Sequence, residues 1–301
     1  MDTVFKAWRG AAAAIAVFLV GWLACTVASA AEPKRVMLLH SFGRDLKPWS
    51  EYAKEIRAEL NRQSQAPLNI YEHSLELARS SDENPEGPFV EYLHSLYAKQ
   101  PFDLIVSIGA PAAAFVQRHR QRLFPEAPML LTVVDQRRVQ YSALAANDAV
   151  VAVAIDYYSA VDNILRVLPD TKHLTVIVGT SPIEQFWKET IGKDTKPFSD
   201  RISFAWTDGL SFEDILKQAS SLPPNSAIFW ELMLVDAAGI VHDEGTALAR
   251  LHSVANAPIF SYTDAFFGRE IVGGPQVPVL EHGRKVAEVA HRILAARKLA
   301  T

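Results

Sequence analysis

The chain has 301 residues, 49% of them apolar and 21% charged, with a formal net charge of −4. That length buries a sizeable core without covalent staples, and the mild acidity lacks the clustered Lys and Arg that a nucleic-acid footprint needs. The single cysteine, Cys25, lies in the N-terminal apolar run, so the rest of the chain has neither disulfide nor thiol chemistry.

Residues 1–30 read as a secretory signal. Lys6 and Arg9 form a basic start, a small-and-apolar run extends from Ala11 to Val27, and Ala28-Ser29-Ala30 is the small-residue pattern that signal peptidase accepts. Cleavage after Ala30 delivers the mature chain to the periplasm; losing Asp2, Lys6 and Arg9 leaves it at about −5. The alternative is an uncleaved anchor, because the run approaches the span of a bilayer, and nothing after Val27 does.

From Val36 the chain alternates strands and helices. Val36 to Leu39 is a short aliphatic strand ended by His40-Ser41-Phe42-Gly43, and a helix follows with Tyr52, Ala53, Ile56 and Leu60 on one face. Leu68 to Tyr71 is a second strand. Pro85 to Tyr97 is a helix presenting Phe89, Leu93, Leu96 and Tyr97. Leu104 to Ile108 is a third strand, broken by Gly109-Ala110-Pro111 before another helix, and Met129 to Val134 is a fourth, closed by Asp135. Arg118, Arg120 and Arg122 read as a solvated helix end.

The pattern restarts after a crossover through Val150 to Ile155 and a helix from Ser159 to Leu168. Leu174 to Val178 is a strand, and the helix after Gly179-Thr180-Ser181-Pro182 turns Ile183, Phe186, Trp187 and Ile191 inward. Ile202 to Trp206 is a strand, with Ser211 to Asp214 opening a helix as a capping box. Ala227 to Trp230 is a strand, Ala247 to Val254 a helix, Pro258 to Phe260 a strand, and a last helix runs from Leu280 to Ala296. Continuously apolar strands between amphipathic helices specify parallel sheets covered on both faces. The expected fold is therefore α/β, two doubly wound parallel-sheet lobes forming a clamshell with a hinge and a central cleft. Residues 34–152 with 275–301 make lobe 1 and 153–274 make lobe 2. The passes near Val150–Ile155 and at Gly273-Gly274 are the candidate hinges, the glycines alternatively serving a turn that needs positive φ.

Asp103-Leu104-Ile105-Val106-Ser107-Ile108-Gly109-Ala110-Pro111-Ala112-Ala113 resembles the "DLIV…TPAA" segment of ABC-transporter substrate-binding proteins with the type I periplasmic-binding fold, a branch that includes aromatic amino acid binders. Ala257-Pro258-Ile259-Phe260, Gly273-Gly274, Gly283 and the run Ala287, Ala290, Ile293, Leu294 are similar to the same family's C-terminal signature. More narrowly, His40 to Asp45 with Pro48-Trp49-Ser50, and Ser261 to Gly268, resemble extracytoplasmic sensor domains of membrane-bound histidine kinases. The resemblance implies a solute-binding protein without catalytic activity or cofactor. Its partners would be a small-molecule ligand and either ABC transporter membrane subunits or sensor kinase modules, with the binding protein itself a monomer.

In open α/β sheets ligands sit beyond the carboxyl ends of the strands. The candidate ligand-binding residues are therefore Ser41, Phe42, Trp49, Ala110, Pro111 and Asp135 from lobe 1, and Ser181, Trp187, Glu231, Tyr262 and Asp264 from lobe 2. Aromatic walls and helix N-termini suit a carboxylate with an aromatic or apolar body. Four of them have a plainer alternative. Trp49 and Trp187 also fit helix cores, Asp135 also fits a cap or a partner of Arg137 or Arg138, and Ser181 also fits an N-cap before Pro182. No G-x-S-x-G, Walker A or G-x-G-x-x-G pattern is present, and His242, Asp243 and Glu244 lack the i, i+4 histidine spacing of a zinc site. The rival function is an exported hydrolase- or racemase-like enzyme using Asp135 and Glu231.

Overall fold

A computed structural model of the chain describes residues 32–76 and 86–297; the signal-sequence reading falls outside them. In chain order come β1 (Lys34–His40), α1 (Trp49–Gln63), β2 (Leu68–Ser74), α2 (Gly87–Tyr97), β3 (Leu104–Ile108), α3 (Ala110–Arg118), the short α4 (Arg120–Leu123), β4 (Met129–Asp135) and β5 (Ala149–Val153). Then follow α5 (Tyr157–Val167), β6 (His173–Val178), α6 (Pro182–Asp194), β7 (Ser203–Trp206), α7 (Phe212–Ala219), β8 (Ser226–Leu232), α8 (Glu244–Val254), β9 (Ile259–Ser261) and α9 (Val279–Arg297). All of them belong to one compact unit beginning at Lys34.

Two parallel sheets result, ordered β2-β1-β3-β4-β5 and β7-β6-β8-β9. Alternation along apolar strands supplies a core to each face. In the first sheet Val36, Leu38, Leu104, Val106 and Leu130 enter one cluster, while Met37, Leu39, Ile105, Met129 and Leu131 enter another. The first cluster continues into the second sheet through Tyr157, Leu174, Val176, Ile183, Trp187 and Phe229. Its far face packs Ile177, Ile228 and Trp230 against α7 and α8. The last helix, α9, returns to pack along α1, so the chain crosses between lobes after β5 and again before α9. No helix among the described residues is long and apolar enough to cross a membrane.

Four local expectations are corrected. The stretch read as a crossover at Val150 to Ile155 is first β5, a strand parallel to β4; only Ala154 to Asp156 remain to connect the lobes. On α2 the buried residues are Val90 and Leu93, and Leu96 is exposed. Phe186 is half-buried, and buried Glu184 takes an inward place on α6. Arg120 is paired with the buried Asp148, which also accepts the Met129 and Ala145 N–H groups, so it braces the start of β4.

Candidate functional site

The residues after the carboxyl end of β4 reach the second lobe, and a cavity lies between the two connecting passes. In lobe 1, β1 ends at His40, and Ser41 turns the chain. Its Oγ donates to the Ile108 carbonyl at 2.7 Å and accepts the Ala112 N–H at 2.9 Å. This hydroxyl is fully spent on joining β1 to β3 and holding the first turn of α3. Gly109 permits that approach: its φ is +93°, and a Cβ there would lie 2.6 Å from Ser41 Oγ. Ala110 and Pro111 follow as the first turn of α3. Phe42 and Trp49, both buried, meet with centroids 4.3 Å apart and planes inclined at 55°.

Asp135 closes β4 after a register shift at which Val133 adopts φ +54°. A β-branched residue is strained there, and such bulges re-aim the side chains that follow. Asp135 is buried and commits both oxygens to Arg137. Oδ1 accepts the Arg137 backbone N–H at 2.9 Å and Nε at 2.8 Å, and Oδ2 accepts Nη2 at 2.9 Å. The alternative of a cap and ion pair is thus what the geometry gives. Arg137 then reaches across. Its Nη1 donates to Asp194 Oδ2 at 2.7 Å, at the end of α6 in the other lobe, and Nη2 donates to the Ile155 carbonyl at 3.2 Å. These carboxylates hold the guanidinium charged well above its usual range.

Sequence pattern offers Arg138 only as a partner for Asp135, not as a ligand contact. Its guanidinium lies 4.7 Å from the Phe186 ring centroid on α6, and its buried Nη1 has no hydrogen-bond partner. Burial pulls its pKa down. Phe186 in turn meets Trp187 at 4.9 Å, and Trp187 meets Tyr157 at 6.1 Å. The ring series therefore begins at a lobe 1 arginine and ends in the lobe 2 core. Ser181 is the N-cap residue of α6, its backbone N–H donating to Glu184 Oε2 at 2.9 Å.

Glu231 lies within β8 rather than after it, is buried, and accepts the Tyr157 hydroxyl proton at 2.7 Å. Burial pushes its carboxyl pKa up to about 8 against the opposing pull of that hydrogen bond and of Arg137. Tyr262 follows β9, and its hydroxyl is pushed up by burial and by Glu231. It lines a cavity of about 290 Å³ between the connectors, with Ile155, Asp156, Val277 and His282. Asp264 Oδ1 accepts the Val279 N–H at 2.9 Å and so ties the end of the second sheet to the start of α9. Gly273 and Gly274 take φ +112° and +141°. A Cβ on the first would come within 2.8 Å of Phe267, and on the second within 2.7 Å of Asn163. Asp243 caps α8 and Glu244 is buried; no cluster suited to a metal ion exists among the described residues.

Two doubly wound lobes whose strand ends face one another across paired connectors define the two-lobe fold of type I periplasmic binding proteins. No protein-family model and no curated protein matches the sequence. Solved structures do match. The ABC domain in complex with L-Trp from Streptococcus pneumoniae is 14% identical with a TM-score of 0.60, over 88% of this chain and 85% of that one. The ligand-free, open structure of a substrate-binding protein with adhesive properties from Clostridium difficile is 14% identical with a TM-score of 0.57, over 87% and 85%. The fructose-binding periplasmic domain of a hybrid two-component system is 14% identical with a TM-score of 0.50, again over 87% and 85%. The likeness is one of fold, and both the transport and the sensor associations expected from the sequence occur among these neighbours.

Proposed function

We propose that this chain is an exported, periplasmic solute-binding protein that captures a small carboxylate with an aromatic or apolar body between its lobes and releases it unchanged. The observation carrying the reading is the Arg138 guanidinium, stacked on Phe186 from the opposite lobe while a buried Nη1 N–H lacks an acceptor. A buried unpaired donor of this kind is costly, and a carboxylate is the acceptor that guanidinium geometry matches best. The adjoining rings supply the apolar wall. Solute bound between the lobes favours the closed form, and that form is what the membrane subunits of an importer or the signalling modules of a kinase would read. The enzyme alternative is weakened because Asp135 spends both oxygens on Arg137 and is not available as a base.

A thermal-shift screen of carboxylates, aromatics and sugars tests the reading, since a solute at a hundred times its Kd adds about 2.7 kcal/mol of stability. Carboxylates should shift the wild type but not Arg138→Gln, and should be recovered intact. No shift from any carboxylate, or conversion of the bound compound, would sink it.

A further inference from the structure

Three glutamates crowd the end of β8, and two of them have complete structural roles. Glu184, Glu231 and Glu244 are 0%, 2% and 1% exposed. Glu184 accepts the Leu234 N–H at 2.6 Å on one oxygen and the Ser181 N–H at 2.9 Å on the other. Glu244 accepts the Trp230 indole N–H at 2.5 Å and the Met233 N–H at 3.1 Å. Together they pin the segment after β8 onto α6 and α8. Glu231 differs. Tyr157 satisfies Oε1, while Oε2 is buried with no partner at all. Leaving a buried polar atom unpaired is costly, and a purely structural position would avoid it with an apolar residue.

Glu231 sits beside groups that reach across from the other lobe. It is the penultimate residue of β8 and is bonded to Tyr157 at the start of α5. The same Tyr157 ring is approached from the other lobe by the Arg137 guanidinium, 5.9 Å from its centroid. Arg137 cannot serve as its counter-ion, because that guanidinium is committed to Asp135 and Asp194. A solute ammonium would have to bury a new ion pair, whose desolvation is expensive. A hydroxyl needs no such pair: it donates to an ionised carboxylate and accepts from a protonated one.

Resting on the binding reading above, we propose that Glu231 is a specificity-determining residue whose Oε2 takes a hydroxyl group of the bound carboxylate solute. A site built to pair with a hydroxyl discriminates strongly against the analogue that lacks it.

The test uses the mature protein and titration calorimetry with benzoate, its ortho, meta and para hydroxy isomers, and para-aminomethylbenzoate. At least one hydroxy isomer should bind the wild type about tenfold or more tighter than benzoate, the scale of one buried hydrogen bond. Glu231→Met should bring that isomer within about twofold of benzoate measured on the same variant, and Glu231→Gln, which still pairs with a hydroxyl, should keep the preference. Benzoate binding without preference for any hydroxy isomer would overturn this proposal alone, as would a preference that survives Glu231→Met or an aminomethyl analogue that binds best. Failure of every probe to bind would instead remove the aromatic-carboxylate reading on which it rests. If Glu231→Met does not fold, Glu231→Leu takes its place, and the absence of any hydroxy preference in the wild type overturns the proposal by itself.

Discussion

The Arg137–Asp194 pair spans the two lobes, and its removal should loosen their closure. Asp194→Asn keeps the size of the side chain and deletes the charge that Arg137 Nη1 meets at 2.7 Å. The two side chains are 34% and 30% exposed, so water screens the pair and its worth is about 1 kcal/mol rather than a buried pair's several. A change of that size alters a two-state population about fivefold. The bidentate contact to Asp135 lies within lobe 1 and survives the substitution, so the variant isolates the bond between lobes. Where solute binds the closed form, apparent affinity falls in proportion to the closed population. Small-angle scattering of the ligand-free protein reads the effect as a larger radius of gyration for Asp194→Asn. Raising salt from about 0.1 to about 1 M, which shortens the screening length to about 3 Å, should move the wild type towards the variant. Equal radii for the two proteins at low salt, with no response to added salt in either, would refute the argument.

Two further expectations concern the rings and the buried acid. Trp187→Ala empties a position that is 8% exposed and should cost about 3–5 kcal/mol of folding stability; Phe186→Ala, half-buried beneath Arg138, should cost much less while weakening carboxylate binding. Equal losses of melting temperature would show that Phe186 is core. Glu231 is held neutral in the folded state to about pH 8 but ionises near its ordinary value when unfolded, so unfolding releases a proton between those limits and rising pH destabilises the fold. The penalty grows by about 1.4 kcal/mol per unit, on the order of 4 kcal/mol from pH 5 to 8. Denaturant melts should therefore show Glu231→Gln gaining on the wild type across that range, and parallel pH profiles would contradict the burial argument.

Much of the fold was legible because its signals are local. Five-residue apolar runs such as Leu104–Ile108, broken by glycine and followed by 3.6-residue periodicity, specify buried parallel strands whatever surrounds them. The Ser211 cap on α7, accepting the Asp214 N–H at 3.2 Å, needs only four consecutive residues. Boundaries were less legible. Glu231 looked like the residue after a strand because a carboxylate inside an apolar run is unexpected, and only Tyr157, 74 positions away in sequence, makes its burial tolerable.

The alternation of elements and the two-lobe α/β class follow from sequence alone, since hydrophobic periodicity and turn residues act over a few positions. Tertiary structure alone decided which polar groups are spent and which are spare. Ser41 is consumed by Ile108 and Ala112, Asp135 by Arg137, and Asp264 by the start of α9. Arg138 Nη1 and Glu231 Oε2 are left without partners. That distinction is a sum over hydrogen bonds between residues far apart in the chain, and desolvation makes each unpaired atom costly only once the fold has removed its water.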